Sequence, residues 1–189
     1  LVKESVTGST FRAFHLRAKG GRQPSVVYRE YTKQLISEKL DDLKKIENWD
    51  AYSEFVKISA NGLVEKFNYE AKESSFLRFG SAAKLLNLSF KHVLKHSGFT
   101  VEERDRLTGF LHVPLDSYTL QGIRKLALEF KIPANASMGW ESLKNEKIYQ
   151  EIQKWIKNQC EKISCKPIHY EIAAWNLSHP KLIDYPHES

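Results

Sequence analysis

The chain has 189 residues, 41% hydrophobic and 28% charged, with a formal net charge of +6. These figures fit one globular domain with a buried core, not a disordered chain, and no apolar run reaches the roughly 18–20 residues that span a bilayer. The two cysteines, Cys160 and Cys165, are too few for a disulfide framework, an all-cysteine zinc site or an iron–sulfur cluster. Residues 1–16 lack the apolar core of a signal peptide. An intracellular protein, cytoplasmic or nucleoid-associated, with no cofactor and no membrane partner is expected.

The elements predicted in chain order are helical. Residues 1–23 read as an N-terminal arm. Pro24 to Ile46 carries Val27, Tyr31, Leu35 and Leu43 at mixed three- and four-residue spacing. Asn48 or Asp50 caps a short helix with Tyr52, Phe55 and Val56, closed by Asn61-Gly62, and Leu63 to Tyr69 adds a further short piece. Ser81 to His96 is strongly amphipathic through Ala82, Leu86, Phe90, Val93 and Leu94, and Gly98 ends it. Thr100 to Glu103 forms a capping box for the next helix. Asp116 caps another, with Leu120, Ile123, Ala127 and Phe130 inward and Pro133 as its stop. Asn145 to Ile163 and a helix from Pro167 through Ala173 and Trp175 complete the chain. The fold class is all-α: a multi-helix single domain, 1–189, of seven or so short helices.

The charge is unevenly spread. Residues 1–40 carry eight basic and three acidic side chains, and residues 76–131 carry nine and five. Between them, residues 41–75 carry five and eight, and residues 132–189 carry seven of each. Two basic stretches flanking an acidic one are the footprint of a nucleic-acid binder if they meet in space. Ordinary surface lysine and arginine give the same arithmetic.

One stretch carries a motif. Residues 79–86 read Phe-Gly-Ser-Ala-Ala-Lys-Leu-Leu, a glycine turn entering a helix that presents Lys84. Residues 112–120 read His-Val-Pro-Leu-Asp-Ser-Tyr-Thr-Leu, with Asp116 at a helix N-terminus. This pairing resembles the helix-hairpin-helix DNA glycosylase superfamily, in which a lysine follows a glycine hairpin and an aspartate caps a later helix. The long interval and the Val113-Pro114-Leu115-Asp116 segment are most similar to the archaeal 8-oxoguanine glycosylase class. The resemblance covers about residues 76–131. The family hairpin reads Gly-x-Gly-x-Lys, whereas here Gly80 stands alone and Ala82 takes the second position.

The resemblance implies a base-excision glycosylase and AP lyase acting on a damaged or modified base in duplex DNA. Lys84 would be the nucleophile and Asp116 the acid/base and electrostatic partner. The hairpin amides at Gly80 and Ser81 would meet a phosphate; Lys91 is a further nucleic-acid contact, and the group Arg104, Arg106, Arg124 and Lys125 would grip phosphate on either side of Asp116. The extruded base would sit in an aromatic and apolar pocket, with Trp140 and His112 as weak candidates.

Simpler readings stand beside these. Lys84, Asn87, Lys91 and Lys95 share one helical face and would make a solvated basic stripe. Asp116 would be only an N-cap. His92 and His96 read as surface histidines, Cys160 and Cys165 as two plain thiols, and Trp155 and Trp175 as core. Phe11, Phe14 and Arg17 suit either single-strand contacts or an arm packed on the domain. The alternative function is a non-catalytic module of glycosylase-like fold that binds nucleic acid, a nucleotide or a protein. Bacterial antiviral defence operons contain proteins resembling this fold.

Overall fold

Pro24 opens the first α-helix among the described residues. A computed structural model describes residues 6, 11, 21–72, 77–95, 98–132 and 145–178. Helix α1 (Pro24–Lys44) begins with the proline at its first position, where a missing N–H costs nothing. It buries Val27, Tyr28, Thr32 and Leu43. Its C-terminal carbonyls are closed by Arg106, which donates from Nη2 to Lys44 O at 2.6 Å and from Nε to Ile46 O at 3.1 Å. Arg106 thus acts as a clamp at the end of this helix.

Helix α2 (Trp49–Ala71) is one continuous helix where two short ones were expected. Asn48, not Asp50, is its N-cap, accepting from Ala51 N–H at 2.9 Å. Gly62 is a close-approach position, not a helix end. A Cβ there would lie 2.5 Å from Tyr31 Oη, and that hydroxyl donates to Ser59 O at 2.8 Å. The bare glycine lets α1 lie close on α2.

Helix α3 (Phe79–Val93) begins before Ser81 and packs along α2. Phe90 meets Phe55 and Tyr52 with ring centroids 5.5 and 6.5 Å apart. Helix α4 (Val101–Phe110) has the expected capping box, Thr100 with Glu103. Helix α5 (Ser117–Leu126) is capped by Asp116 as expected. It ends before Ala127, and Phe130 lies in a short 3-10 turn, edge-on to Trp155 at 6.4 Å. Helix α6 (Glu146–Lys162) starts at an Asn145 cap, and α7 (Pro167–Ser178) starts at a proline.

Among the described residues there are seven α-helices and no strand. The all-α expectation therefore stands at the level of class. The core runs between α2 and α3, with Leu63, Phe67, Leu85, Leu86 and Phe90 fully or nearly fully buried. Val6 and Phe11 join it, and Phe11 packs on Tyr28 at 5.2 Å. That supports a packed N-terminal segment over a free arm at those two positions. No helix among the described residues is long and apolar enough to cross a membrane.

Candidate active site

Residues 111–115 are all buried and carry the chain from α4 to α5. A buried segment outside regular structure must satisfy its backbone groups by other means. Gln153 on α6 supplies them: its side-chain carbonyl accepts from Val113 N–H at 2.9 Å, and its amide donates to Val113 O at 2.7 Å. Asn68 on α2 does the same for the approach to α3. It accepts from Leu77 N–H at 2.7 Å and donates to Leu77 O at 3.3 Å. The two segments that lead to Asp116 and towards Lys84 are each fixed by one amide side chain.

Asp116 closes the N-terminus of α5. Its Oδ1 accepts from the N–H groups of Tyr118 and Thr119, both at 3.0 Å. Thr119 Oγ1 in turn accepts from Asp116 N–H at 2.8 Å. Both caps fall on Oδ1, so Oδ2 takes no part in them. The carboxylate thus sits at the positive end of the α5 dipole.

Lys84 lies half-buried on α3. Burial pulls its amine below the ordinary lysine value, while the charges of Asp116 and, second, Glu171 pull it back up. The amine thus lies within the electrostatic reach of both carboxylates. Loss of water stabilises the neutral amine, which is the nucleophilic form. Seven residues along α3, on the same face, Lys91 pairs with Glu171 of α7, Nζ to Oε2 at 2.9 Å.

Helix α7 is seated on α5 by Tyr170, which donates to Thr119 O at 2.7 Å. A Cβ on Gly122 would lie 2.5 Å from the same hydroxyl. The device repeats that of Tyr31, Ser59 and Gly62. It brings Glu171 to the N-terminus of α5 and leaves a cleft of about 180 Å³. Lys91, Asp116, Tyr118, Glu171, Ile172 and Asn176 line it, with Thr119.

The expected site residues divide as follows. Lys91 and Asp116 line one cleft, and the Asp116 charge acts on Lys84. Gly80 and Ser81 are buried in the first turn of α3, so Gly80 sits inside the helix and not in a turn ahead of it. Asn87 is 1% exposed and bonds Tyr52 and Tyr149, which breaks the solvated basic stripe drawn through it. Arg104 donates to Phe99 O at 3.3 Å within its own neighbourhood. Arg124 and Lys125 sit in the last turn of α5, about 12 Å along the helix from the Asp116 cap. Trp140, His96 and the side chain of Trp175 lie outside the described residues.

His112 is corrected from a pocket candidate to a core residue. It is 1% exposed. Its Nε2 bonds Ser53 Oγ at 2.8 Å and its Nδ1 bonds Tyr149 Oη at 3.2 Å. The rings of Trp49, Tyr52 and Tyr149 surround it. Burial alone drives its pKa down to about 3, so it is neutral near pH 7 and serves packing.

Sequence reasoning missed Glu171, Tyr118, Asn176 and Gln153. The cap at Asp116 implied that residues just after it would flank any site there, which was a usable signal for Tyr118. Nothing local marks the others. No group of three or more His, Cys, Asp or Glu side chains among the described residues is placed to hold a metal. Comparison with protein-family models, curated proteins and solved structures gives no match.

Proposed function

We propose that this chain is a base-excision DNA glycosylase and AP lyase, acting on a damaged or modified base of the 8-oxoguanine kind. The observation that carries the reading is the half-buried Lys84 amine, lowered by burial and acted on by the Asp116 charge, together with a small cleft that Asp116 lines. A neutral Lys84 Nζ attacks C1′ of an extruded nucleotide as the bond from C1′ to the base breaks. Asp116 stabilises the positive charge that develops on the sugar and takes a proton from the attacking nitrogen. The base departs as its anion and takes a proton from solvent, Asp116 returns its proton to O4′ as the sugar ring opens, and a protonated imine remains between Lys84 and C1′. Loss of a proton from C2′ then expels the 3′ phosphate by β-elimination. Tyr118 offers a flat ring and Ile172 an apolar side chain to the base, and Lys91, Glu171 and Asn176 offer polar groups to its edge.

A specific observation favours the second reading, a non-catalytic module that binds nucleic acid, a nucleotide or a protein. Gly80 and Ser81 are packed inside α3, so the glycine hairpin that would hold a DNA phosphate is not formed as expected.

The two readings separate in one assay. Duplexes carrying 8-oxoguanine, uracil, an abasic site or no lesion are incubated with the protein and resolved on a denaturing gel. Lesion-dependent strand cleavage supports the enzyme. Uncut DNA bound with an affinity that falls steeply with log salt supports the module. Neither cleavage nor DNA binding contradicts the enzyme and points to a module with a protein or small-molecule partner.

A further inference from the structure

Helix α6 ends at Lys162, and the chain turns through Ile163 and Ser164 towards α7. Ser164 takes the left-handed conformation, φ 53°. Its N–H bonds Glu161 O at 3.2 Å, and Cys165 N–H bonds Cys160 O at 2.9 Å. This pair of bonds is a Schellman closure, which sets the third-last helical residue against the second residue beyond the end. Here those residues are Cys160 and Cys165. A backbone bond of 2.9 Å between them keeps their Cα atoms within the roughly 4.4–6.8 Å over which disulfides form.

Neither thiol is in a disulfide. Both line an apolar groove of about 590 Å³ whose walls include Leu126, Trp155, Ile163 and Tyr170. Cys160 is buried and Cys165 is partly exposed. Burial pushes the Cys160 thiol up to about 12, so Cys165 is the thiol that meets an incoming reagent.

We propose that Cys160 and Cys165 form a thiol–disulfide exchange site that takes small disulfides of the glutathione class and closes to an intramolecular disulfide. The Cys165 thiolate attacks one sulfur of glutathione disulfide, forming a mixed disulfide and releasing one glutathione thiolate. Cys160 gives up its proton to solvent and attacks the Cys165 sulfur, releasing the second glutathione. Two protein thiols are oxidised and one glutathione disulfide is reduced. The closed bond staples the end of α6 to the segment just ahead of Tyr170 and Glu171, the residues that seat α7 on α5 and meet Lys91. The site stands independently of the function proposed above.

The test uses the full chain, which holds only these two cysteines. Reduced protein is treated with glutathione disulfide, quenched, alkylated with N-ethylmaleimide under denaturing conditions and weighed intact. The expected product has lost two hydrogen atoms and both alkylation sites, and stays a single chain on a non-reducing gel. Cys160→Ser should stall as a glutathione adduct on Cys165, and dithiothreitol should restore both thiols of the wild type. Three outcomes overturn the proposal: a lasting wild-type glutathione adduct, a disulfide-linked dimer, or thiols that react in urea-unfolded chain but not in the folded one.

Discussion

The Gln153 side chain holds both backbone groups of Val113, accepting from its N–H at 2.9 Å and donating to its carbonyl at 2.7 Å. Gln153 is 2% exposed, so water does not replace these bonds when they are lost. Replacement by alanine leaves a buried N–H, a buried carbonyl and a void, at a cost of about 2–4 kcal/mol. Gln153→Glu should not rescue, because a carboxylate accepts but does not donate and buries a charge. Urea unfolding of the two variants checks both statements. A loss under about 0.5 kcal/mol for Gln153→Ala would show that the clamp does not hold the Asp116 segment.

The Lys91–Glu171 pair ties α3 to α7 at 2.9 Å, with the side chains 31% and 18% exposed. Partial burial puts its coupling above that of a fully exposed pair, at about 0.5–1.5 kcal/mol. A double-mutant cycle with Lys91→Met and Glu171→Gln measures that coupling by urea unfolding. Additive single changes would show two independent surface charges.

Stability should respond to pH through His112. Its folded value is about 3, against an ordinary 6.5. Between those values the unfolded chain takes up a proton that the folded chain refuses. The contribution is therefore full above 6.5 and lost as pH falls through the window. Its limiting slope is about 1.4 kcal/mol per pH unit, and it flattens below about 3. His112→Gln should be less stable near neutral pH and show a shallower fall between about pH 6 and pH 4. Equal slopes for the two proteins would remove His112 as the source.

Gly122 and Tyr170 should behave as a pair. A Cβ at Gly122 meets the Tyr170 hydroxyl at 2.5 Å, so Gly122→Ala should cost about 1–3 kcal/mol. Tyr170→Phe removes the atom that clashes. In the double variant the glycine substitution should cost clearly less than it does alone. Strict additivity of the two unfolding free energies would contradict the close approach.

Much of the fold was legible because its signals are local. The Thr100–Glu103 box and the Asp116 cap are satisfied within one turn of chain, so spacing alone identifies them. The glycines were misread because a glycine reports only that a side chain is missing. Gly62 follows Asn61 and so reads as a helix end, yet it is bare because Tyr31 of another helix reaches it. The same ambiguity hid the role of Gly122. Asn87 looked like part of a polar stripe, but its partners Tyr52 and Tyr149 lie 35 and 62 residues away. Glu171 was invisible for a similar reason: Lys91 is 80 residues distant, and only the seating of α7 by Tyr170 brings them together.

The central claim is that Lys84 carries a nucleophilic amine within the electrostatic reach of Asp116. Borohydride reduction of the protein on a lesion-bearing duplex, followed by proteolysis and peptide mass spectrometry, tests it most directly. Burial lowers the Lys84 amine, so trapping should rise with pH and level off below the ordinary lysine value of 10.5. The expected result is a DNA adduct on the peptide that contains Lys84, absent from Lys84→Gln. An adduct on another lysine, or none with any lesion that the protein binds, would contradict the claim.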